Sequence, residues 1–431
     1  MELLFISLVC LTSIILTSYF NRTILTPLGV FAILWMIISL FSYIHLYGLY
    51  ETETRSYLLI ALGLFGFSLG CGIARPITVK RNANTHSYHI RTEIVEILIC
   101  LSILFYAYLL YRIYIDLGSI DLYSIQRYNR TMDIESLISS SSIRLFGSFI
   151  AGPVSSLAPI VVIALFFTEG INSRSIVETA LLLTIKMLAT GSRSTLLFLF
   201  MYGIIAYNIN KNVEKVYKVK RIKKGISLKL LAVLVLGIVL FVAMTLSRNM
   251  QVWRSLYLDL AIPPIMFQKW SDSVTGYSFG QASLGGFFFI ILYPVQLLLR
   301  LPLMPLGFQE VYDLVNSTVS DWIIVGSGVP ANAYVSLFWY FYADLGVFGV
   351  FLGSLLFGMW CNWCYLSYLN NKGSFELSLC LLMFSTIVFS FVRLQFTLPN
   401  YALMIVLLVF VFYGRGSKQG NTSSSRQLTT R

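Results

Sequence analysis

Tyr334-Val-Ser-Leu-Phe-Trp-Tyr-Phe-Tyr-Ala-Asp344-Leu-Gly346-Val-Phe-Gly-Val-Phe-Leu-Gly-Ser-Leu-Leu-Phe-Gly358-Met-Trp-Cys361-Asn-Trp-Cys364-Tyr365 decides the fold class. The run carries a single charge, Asp344. A membrane-crossing helix needs about 20 apolar residues. This stretch is longer than that, with Asp344 and Gly346 near its start. Working outward, similar runs occupy 3–20, 27–49, 56–74, 93–115, 143–168, 175–190, 194–209, 228–246, 284–300, 375–392 and 399–413. Gly191-Ser192-Arg193-Ser194 breaks the apolar stretch 175–209, which reads as two short spans meeting at a tight turn.

Composition agrees. Of 431 residues, 57% are hydrophobic and 12% charged, about half the charge of a soluble domain, which runs near 25%. A soluble fold would expose larger apolar patches than monomers carry. The expected fold is therefore an all-α polytopic membrane protein with about 11–12 transmembrane helices. Residues 1–413 form its single membrane domain, and 414–431, rich in Ser, Thr and Gln, a disordered tail. Leu3 to Tyr19 lacks a basic leader region and a cleavage site, and reads as a retained first span.

Lys and Arg set the orientation. Lys211, Lys215, Lys218, Lys220, Arg221, Lys223, Lys224 and Lys229 make 210–229 cytoplasmic. Arg75, Lys80, Arg81 and Arg91, then Arg22, Arg174 and Lys372, fall on the same side by counting spans. So does the tail, which puts the C-terminus in the cytoplasm. Parity then requires that 284–300 not cross, or that a crossing near 320–341 match it. Pro294, Pro302 and Pro305 favour a broken or interfacial segment. Irregular backbone at membrane depth survives only when buried in protein or lining a cavity. A structured external cap is expected over about 247–333.

The net charge of +12 belongs to these loops, and the Lys run suits anionic headgroups better than nucleic acid. Cys361-x-x-Cys364 sits in a helical pattern with no second pair, and reads as two small buried hydrophobes. His86-x-x-His89 lies in a basic loop without ligating partners, so no metal is expected. No cofactor or nucleotide motif is present. Gly326-Ser327-Gly328 reads as a turn.

Ionisable residues near membrane depth are functional candidates. Arg193 lies between two short helices, Arg248 and Arg254 open the external cap, and Arg393 ends the span 375–392. Arg binds phosphate bidentately and stays charged. Four such residues on one side suggest a polyanion site, although an isolated Arg at a helix end often only snorkels. Asp344, inside an aromatic run, is a candidate base or a helix cap. Trp270 and Tyr277 sit in an aromatic-rich external segment that could stack on sugar rings or form an interfacial belt.

Three stretches give the chain a resemblance to the bacterial Wzy-type oligosaccharide repeat-unit polymerases. They are Ala189-Thr-Gly-Ser-Arg193-Ser; the region Arg248 to Gly286 with Ile262-Pro-Pro264 and Gly276-Tyr-Ser-Phe279; and Pro330-Ala-Asn332-Ala-Tyr334 followed by Asp344-Leu-Gly346-x-x-Gly349 and Gly358. The similarity covers about 180–415; the first 170 residues match in hydropathy only. It implies a membrane-embedded glycosyltransferase of the GT-C type in the bacterial inner membrane. Its substrates would be undecaprenyl-pyrophosphate-linked oligosaccharides, polymerised into O-antigen or a related surface polysaccharide on the external, periplasmic face. Arg193, Arg248, Arg254 and Arg393 would hold diphosphate, Asp344 would act beside them, and Asn332 and Tyr334 would fall on the family's Asn-x-Tyr positions. Partners would be membrane lipids and the pathway's flippase and chain-length regulator. The rival reading is a lipid-linked oligosaccharide flippase or other secondary transporter, for which no internal repeat is found. An O-antigen ligase is disfavoured because such ligases use a His in the large external loop, and 247–333 contains none.

Overall fold

The computed structural model describes residues 2–21, 23–79, 88–118, 138, 140–170, 173–191, 194–217 and 252–415. Arg193, Arg248, the expected span 228–246 and the tail from 416 lie outside them. The described chain is mostly helical: α1 (Glu2–Asn21), α2 (Pro27–Ile44), α3 (Thr54–Val79), α4 (Thr92–Leu117), α5 (Ser141–Thr168), α6 (Ser173–Thr190) and α7 (Ser194–Tyr217) come first. Then follow α8 (Val252–Ala261), α9 (Pro263–Ser271), α10 (Gly285–Leu299), α11 (Phe308–Ser320), α12 (Ser336–Asn371), α13 (Ser374–Val388) and α14 (Pro399–Val406). Four short strands are added: β1 (Tyr88–Ile90), β2 (Ile323–Gly326), β3 (Val329–Ala331) and β4 (Tyr413–Arg415). Among the described residues, α2, 54–74 of α3, 92–116 of α4, α5 and α12 are long and apolar enough to cross a membrane, and this is a multi-pass membrane protein. Shorter apolar helices include residues 5–19, α10, α13 and 399–412.

The bundle has two distinct ends. At one, β1 pairs antiparallel with β4, Tyr88 stacks on Phe375, and Ser374 donates to Glu169. Arg91, Arg174 and Lys372 belong to this end. At the other, the 45–53 loop joins the cap. Leu49 bridges Gly326, Ser327 N–H donates to Gly48 O, and Glu53 N–H donates to Gln268 Oε1 at 2.9 Å. The Tyr257 hydroxyl binds Phe41 O at 2.6 Å and receives Leu46 N–H at 2.9 Å. Among the described residues, Arg91, Arg174 and Lys372 thus lie at the end opposite to the 45–53 loop and the 252–333 segment. Ser327-Gly328 is the turn of the β2–β3 hairpin, as its sequence suggests.

Residues 334–365 are not one span. Leu345 (φ −147°, ψ 25°) and Gly346 (φ 61°, ψ −142°) break α12 into a short arm, 336–344, and a long arm, 347–371. The short arm folds back on the long one. A methyl group at Gly349 would meet Phe341 O at 2.0 Å, and one at Gly353 would meet the Phe341 ring at 2.4 Å. In a continuous helix, residues eight apart are about 12 Å apart. Only glycine tolerates the Gly346 geometry without strain. The span assignment is corrected accordingly: the long arm crosses, and the short arm is a re-entrant helix enclosed by protein.

The long arm lies along α3, running in the same direction. Gly63 meets Ser354 Oγ, Gly70 meets Leu355 O, and Gly358 meets Phe67 O, while Asn362 donates to Cys71 O at 2.6 Å. Small residues permit this close backbone approach, which supplies the van der Waals contact that drives helix association in lipid. Around the contact, Phe31, Trp35, Phe67, Phe338 and Phe357 form a buried aromatic cluster.

The parity question over 284–300 also resolves. The first turn of α10 rests on backbone at Phe396–Leu398, and its Tyr293 stacks on Phe149. It then turns back as a hairpin with α11, through Phe288–Phe308 and Phe289–Tyr312. Both hairpin ends sit at the cap end, so α10 and α11 together make no net crossing. Of the stretch 247–333, the described part, 252–333, is packed as short helices and a hairpin.

Substituting Gly70→Val places side-chain atoms against Leu355 O, 2.0 Å from the first of them. It is expected to destabilise the protein by about 1–3 kcal/mol. Gly72→Val, with nothing within 4 Å, serves as the control. Thermal unfolding in detergent, followed by tryptophan fluorescence, should show a lower midpoint for the first variant alone.

Candidate functional site: a recessed floor beneath the cap

The centre of the cap end is sunken. α13 has 15 residues, about 22 Å of rise, too short for a hydrocarbon core of about 30 Å. Its connection to α14 therefore falls short of the end of α2. The Trp35 indole N–H donates to Ser390 Oγ at 3.1 Å, and Trp35 lies about 13 Å of helix rise before Ile44. The short arm of α12 starts at this depth: Leu337 N–H donates to Ser390 O, and Ser336 N–H to Val392 O. Residues 389–398 and 333–337 form a floor, with α8, α9, α11 and the β2–β3 hairpin around and above it.

Arg393 lies on this floor, half-buried. It is close enough to the Tyr334 and Tyr340 hydroxyls to act on both electrostatically. The guanidinium has no ion-pair partner among the described residues. Tyr340 is buried between Thr318 of the cap and Thr397 of the floor. Tyr334 donates its hydroxyl to Asp259 Oδ1 at 2.8 Å, linking floor to cap. Burial raises the Asp259 pKa, and the Tyr334 hydrogen bond opposes that rise. The backbone here is strained: Ala333, Tyr334 and Ser336 have φ of 56°, 55° and 67°. Such left-handed conformations in non-glycine residues persist when neighbours over-determine them. Ala333 N–H donates to Thr318 O, and the Asn332 side chain donates to Val319 O at 2.7 Å.

The sequence candidates divide on this geometry. Arg393, Tyr334 and Asn332 belong to the floor and its rim, although Asn332 is occupied in holding the cap helix α11. Arg254 does not join them. It is exposed, with its guanidinium 5.8 Å from the Tyr47 ring centroid, pinned over the 45–50 loop. On α8 it points about 140° away from Asp259, five residues on. The expected convergence of four Arg side chains therefore does not include Arg254. Arg193 and Arg248 lie outside the described residues. Phe198, near the start of α7, stacks on Phe389 at 4.6 Å, so the helix following Arg193 packs beside the floor.

Asp344 is a clamp. Its Oδ1 accepts from Ser278 Oγ at 2.6 Å and Ala282 N–H at 3.0 Å, and its Oδ2 from Ser283 N–H at 3.2 Å. In return, Ser278 and Phe279 N–H groups donate to Ala343 O and Asp344 O at the end of the short arm. Both carboxylate oxygens are engaged with donors, and the residue is 4% exposed, so the geometry favours the capping alternative over a base. Trp270 is corrected too. Its ring is buried edge-to-face on Trp339 at 6.4 Å and offers no open face for a sugar. Tyr277 is exposed, with its hydroxyl against Gly346. Lys186, inside α6, is held by Ser156 Oγ at 3.0 Å and lies over the Tyr106 ring.

Sequence reasoning did not single out Asp259, one of many carboxylates on its side. Its available signal was weak: a lone acid in Trp253-Arg-Ser-Leu-Tyr-Leu-Asp259-Leu. No family model, curated protein or solved structure matches the chain.

Asp344→Ala should leave the Ala282 and Ser283 N–H groups without their acceptor, while the Ser278 hydroxyl keeps Ala343 O at 3.2 Å, a loss of about 1–3 kcal/mol or more. The exposed Tyr277 and Phe279 should then become chymotrypsin sites. Limited proteolysis with mass mapping is expected to show cleavage there in the variant, at protease levels that leave the parent intact.

Proposed function

We propose that the protein is a membrane-embedded glycosyltransferase, GT-C-like in its general plan. It joins undecaprenyl-pyrophosphate-linked oligosaccharide repeat units into a surface polysaccharide, of O-antigen or related type. One observation carries the proposal: an uncommitted guanidinium, Arg393, on a recessed floor beside the Asp259–Tyr334 pair. The cap end is then the external, periplasmic face of the bacterial inner membrane, and the Lys-rich stretch and C-terminus are cytoplasmic.

An acceptor sugar hydroxyl attacks the anomeric carbon of the donor glycan. The anomeric C–O bond to the pyrophosphate breaks, and undecaprenyl pyrophosphate departs with both bonding electrons. Arg393 stabilises the charge that develops on the diphosphate, and the low dielectric of the floor strengthens that interaction. Arg193 and Arg248 add to it. Asp259 Oδ2, which has no donor among the described residues, takes the hydroxyl proton. Tyr334 holds the carboxylate in place, and Tyr277 at the cap surface offers its ring to the glycan. The chain's own residues supply this chemistry without a metal or cofactor. The product chain passes onward to a chain-length regulator, and repeat units arrive from a flippase.

The alternative, a flippase for the same lipid-linked oligosaccharide, predicts translocation without a new glycosidic bond. The purified protein in vesicles, given lipid-linked repeat units, should form a ladder of multiples of the unit. Translocated but unextended units would favour the flippase.

Arg393→Ala should lower ladder formation by about 100-fold or more at unchanged protein level. Arg193→Ala is expected to stop extension likewise. Because burial raises its pKa above the ordinary value of 3.8, Asp259 loses its charge as pH falls through that raised value. Initial rates should therefore fall on the acid side above the ordinary aspartate range, and Asp259→Asn should remove this limb along with most of the rate.

A further inference from the structure

A second cationic feature lies away from the floor, on the outer wall of the bundle. Arg55, Leu58, Leu62 and Phe65 recur along one face of α3 and line an open groove, closed on its sides by Phe5 of α1 and Val347 of α12. The walls are apolar, and Phe5, Leu58, Phe65 and Val347 are each about half exposed. In a multi-pass protein this exposure is to hydrocarbon. Arg55 sits at the mouth, in the first turn of α3. Its Nη2 donates to the Tyr342 hydroxyl at 2.7 Å, and its guanidinium is 5.9 Å from that ring's centroid. No carboxylate pairs with it among the described residues. The contact with Tyr342 fixes the cation at the groove's end and leaves its remaining N–H groups free for an anion.

The dimensions select the occupant. From Arg55 to Phe65 the helix rises about 15 Å, half the hydrocarbon core of about 30 Å. That is the depth of one leaflet, with the cation at the level where that leaflet's phosphates lie. A long isoprenoid chain exceeds it. The geometry points to a resident anionic phospholipid of the cap-end leaflet, with one acyl chain in the groove and its phosphate on Arg55. The site stands independently of glycosyl transfer.

The test is native mass spectrometry of the protein released from nanodiscs made of equal parts phosphatidylglycerol and phosphatidylcholine. The wild type should retain one phosphatidylglycerol in preference to phosphatidylcholine. Arg55→Gln should reduce that adduct about tenfold, the loss of one charge-assisted contact. Leu58→Trp, which fills the groove at an exposed position, should remove it while Arg55 remains. Equal retention of the two lipids by the wild type would overturn the assignment, as would an unchanged adduct in both variants. A third arm adds undecaprenyl phosphate to the nanodisc: its displacing phosphatidylglycerol from the wild type would make the groove a prenyl-chain site and refute the phospholipid occupant.

Discussion

The reciprocal grip between Asp344 and the 278–283 segment is the constraint on which the cap end depends. Breaking a helix inside a membrane frees backbone carbonyls, and lipid has nothing to offer them. Here the freed Ala343 and Asp344 carbonyls receive Ser278 and Phe279 N–H groups. The Asp344 carboxylate meanwhile takes the N–H groups of Ala282 and Ser283, just ahead of α10. A carboxylate at a helix start is favoured by the helix dipole as well as by the hydrogen bonds. One residue thus satisfies two chain interruptions, and so fastens the cap to the re-entrant arm.

That fastening permits the floor. The short arm of α12 and the 389–398 connection occupy depth that full-length helices would otherwise fill. The space above them is roofed by α11 and the β2–β3 hairpin. Strain at Ala333–Ser336 is held by bonds to α11 and to the floor, which are the neighbours that define the recess. A guanidinium in such a place is more effective than one on an open surface, because water screens it less. Arg254, exposed on Tyr47, illustrates the contrast.

Much of this architecture was legible in the sequence, for identifiable reasons. Apolar runs report directly on the bilayer, so the helical, multi-pass character of the described residues follows from them. Ser327-Gly328 was readable because a turn needs its glycine. The reversal at Leu345–Gly346 was not, since both arms are apolar on every face and hydropathy does not change across the break. Asp344 and Gly346 marked the spot without revealing the fold-back. The same blindness affects α10: its composition is that of a span, and only its pairing with α11 shows that the chain returns to the cap end. Trp270 looked like a surface aromatic because burial by the re-entrant arm is a tertiary fact. Arg393 stood out as a cation closing an apolar run. Asp259 did not, because its significance comes from Tyr334, 75 residues away, and no local pattern links them.

The most direct measurement of the central claim is photo-crosslinking. A lipid-linked oligosaccharide carrying a diazirine beside its pyrophosphate would be irradiated with the protein in vesicles and the adducts mapped by mass spectrometry. If the floor binds the diphosphate, adducts will concentrate in 389–397 and 332–340, and Arg393→Ala will diminish them. Adducts confined to the end that carries β1 and β4, or a pattern indifferent to that substitution, would contradict the account.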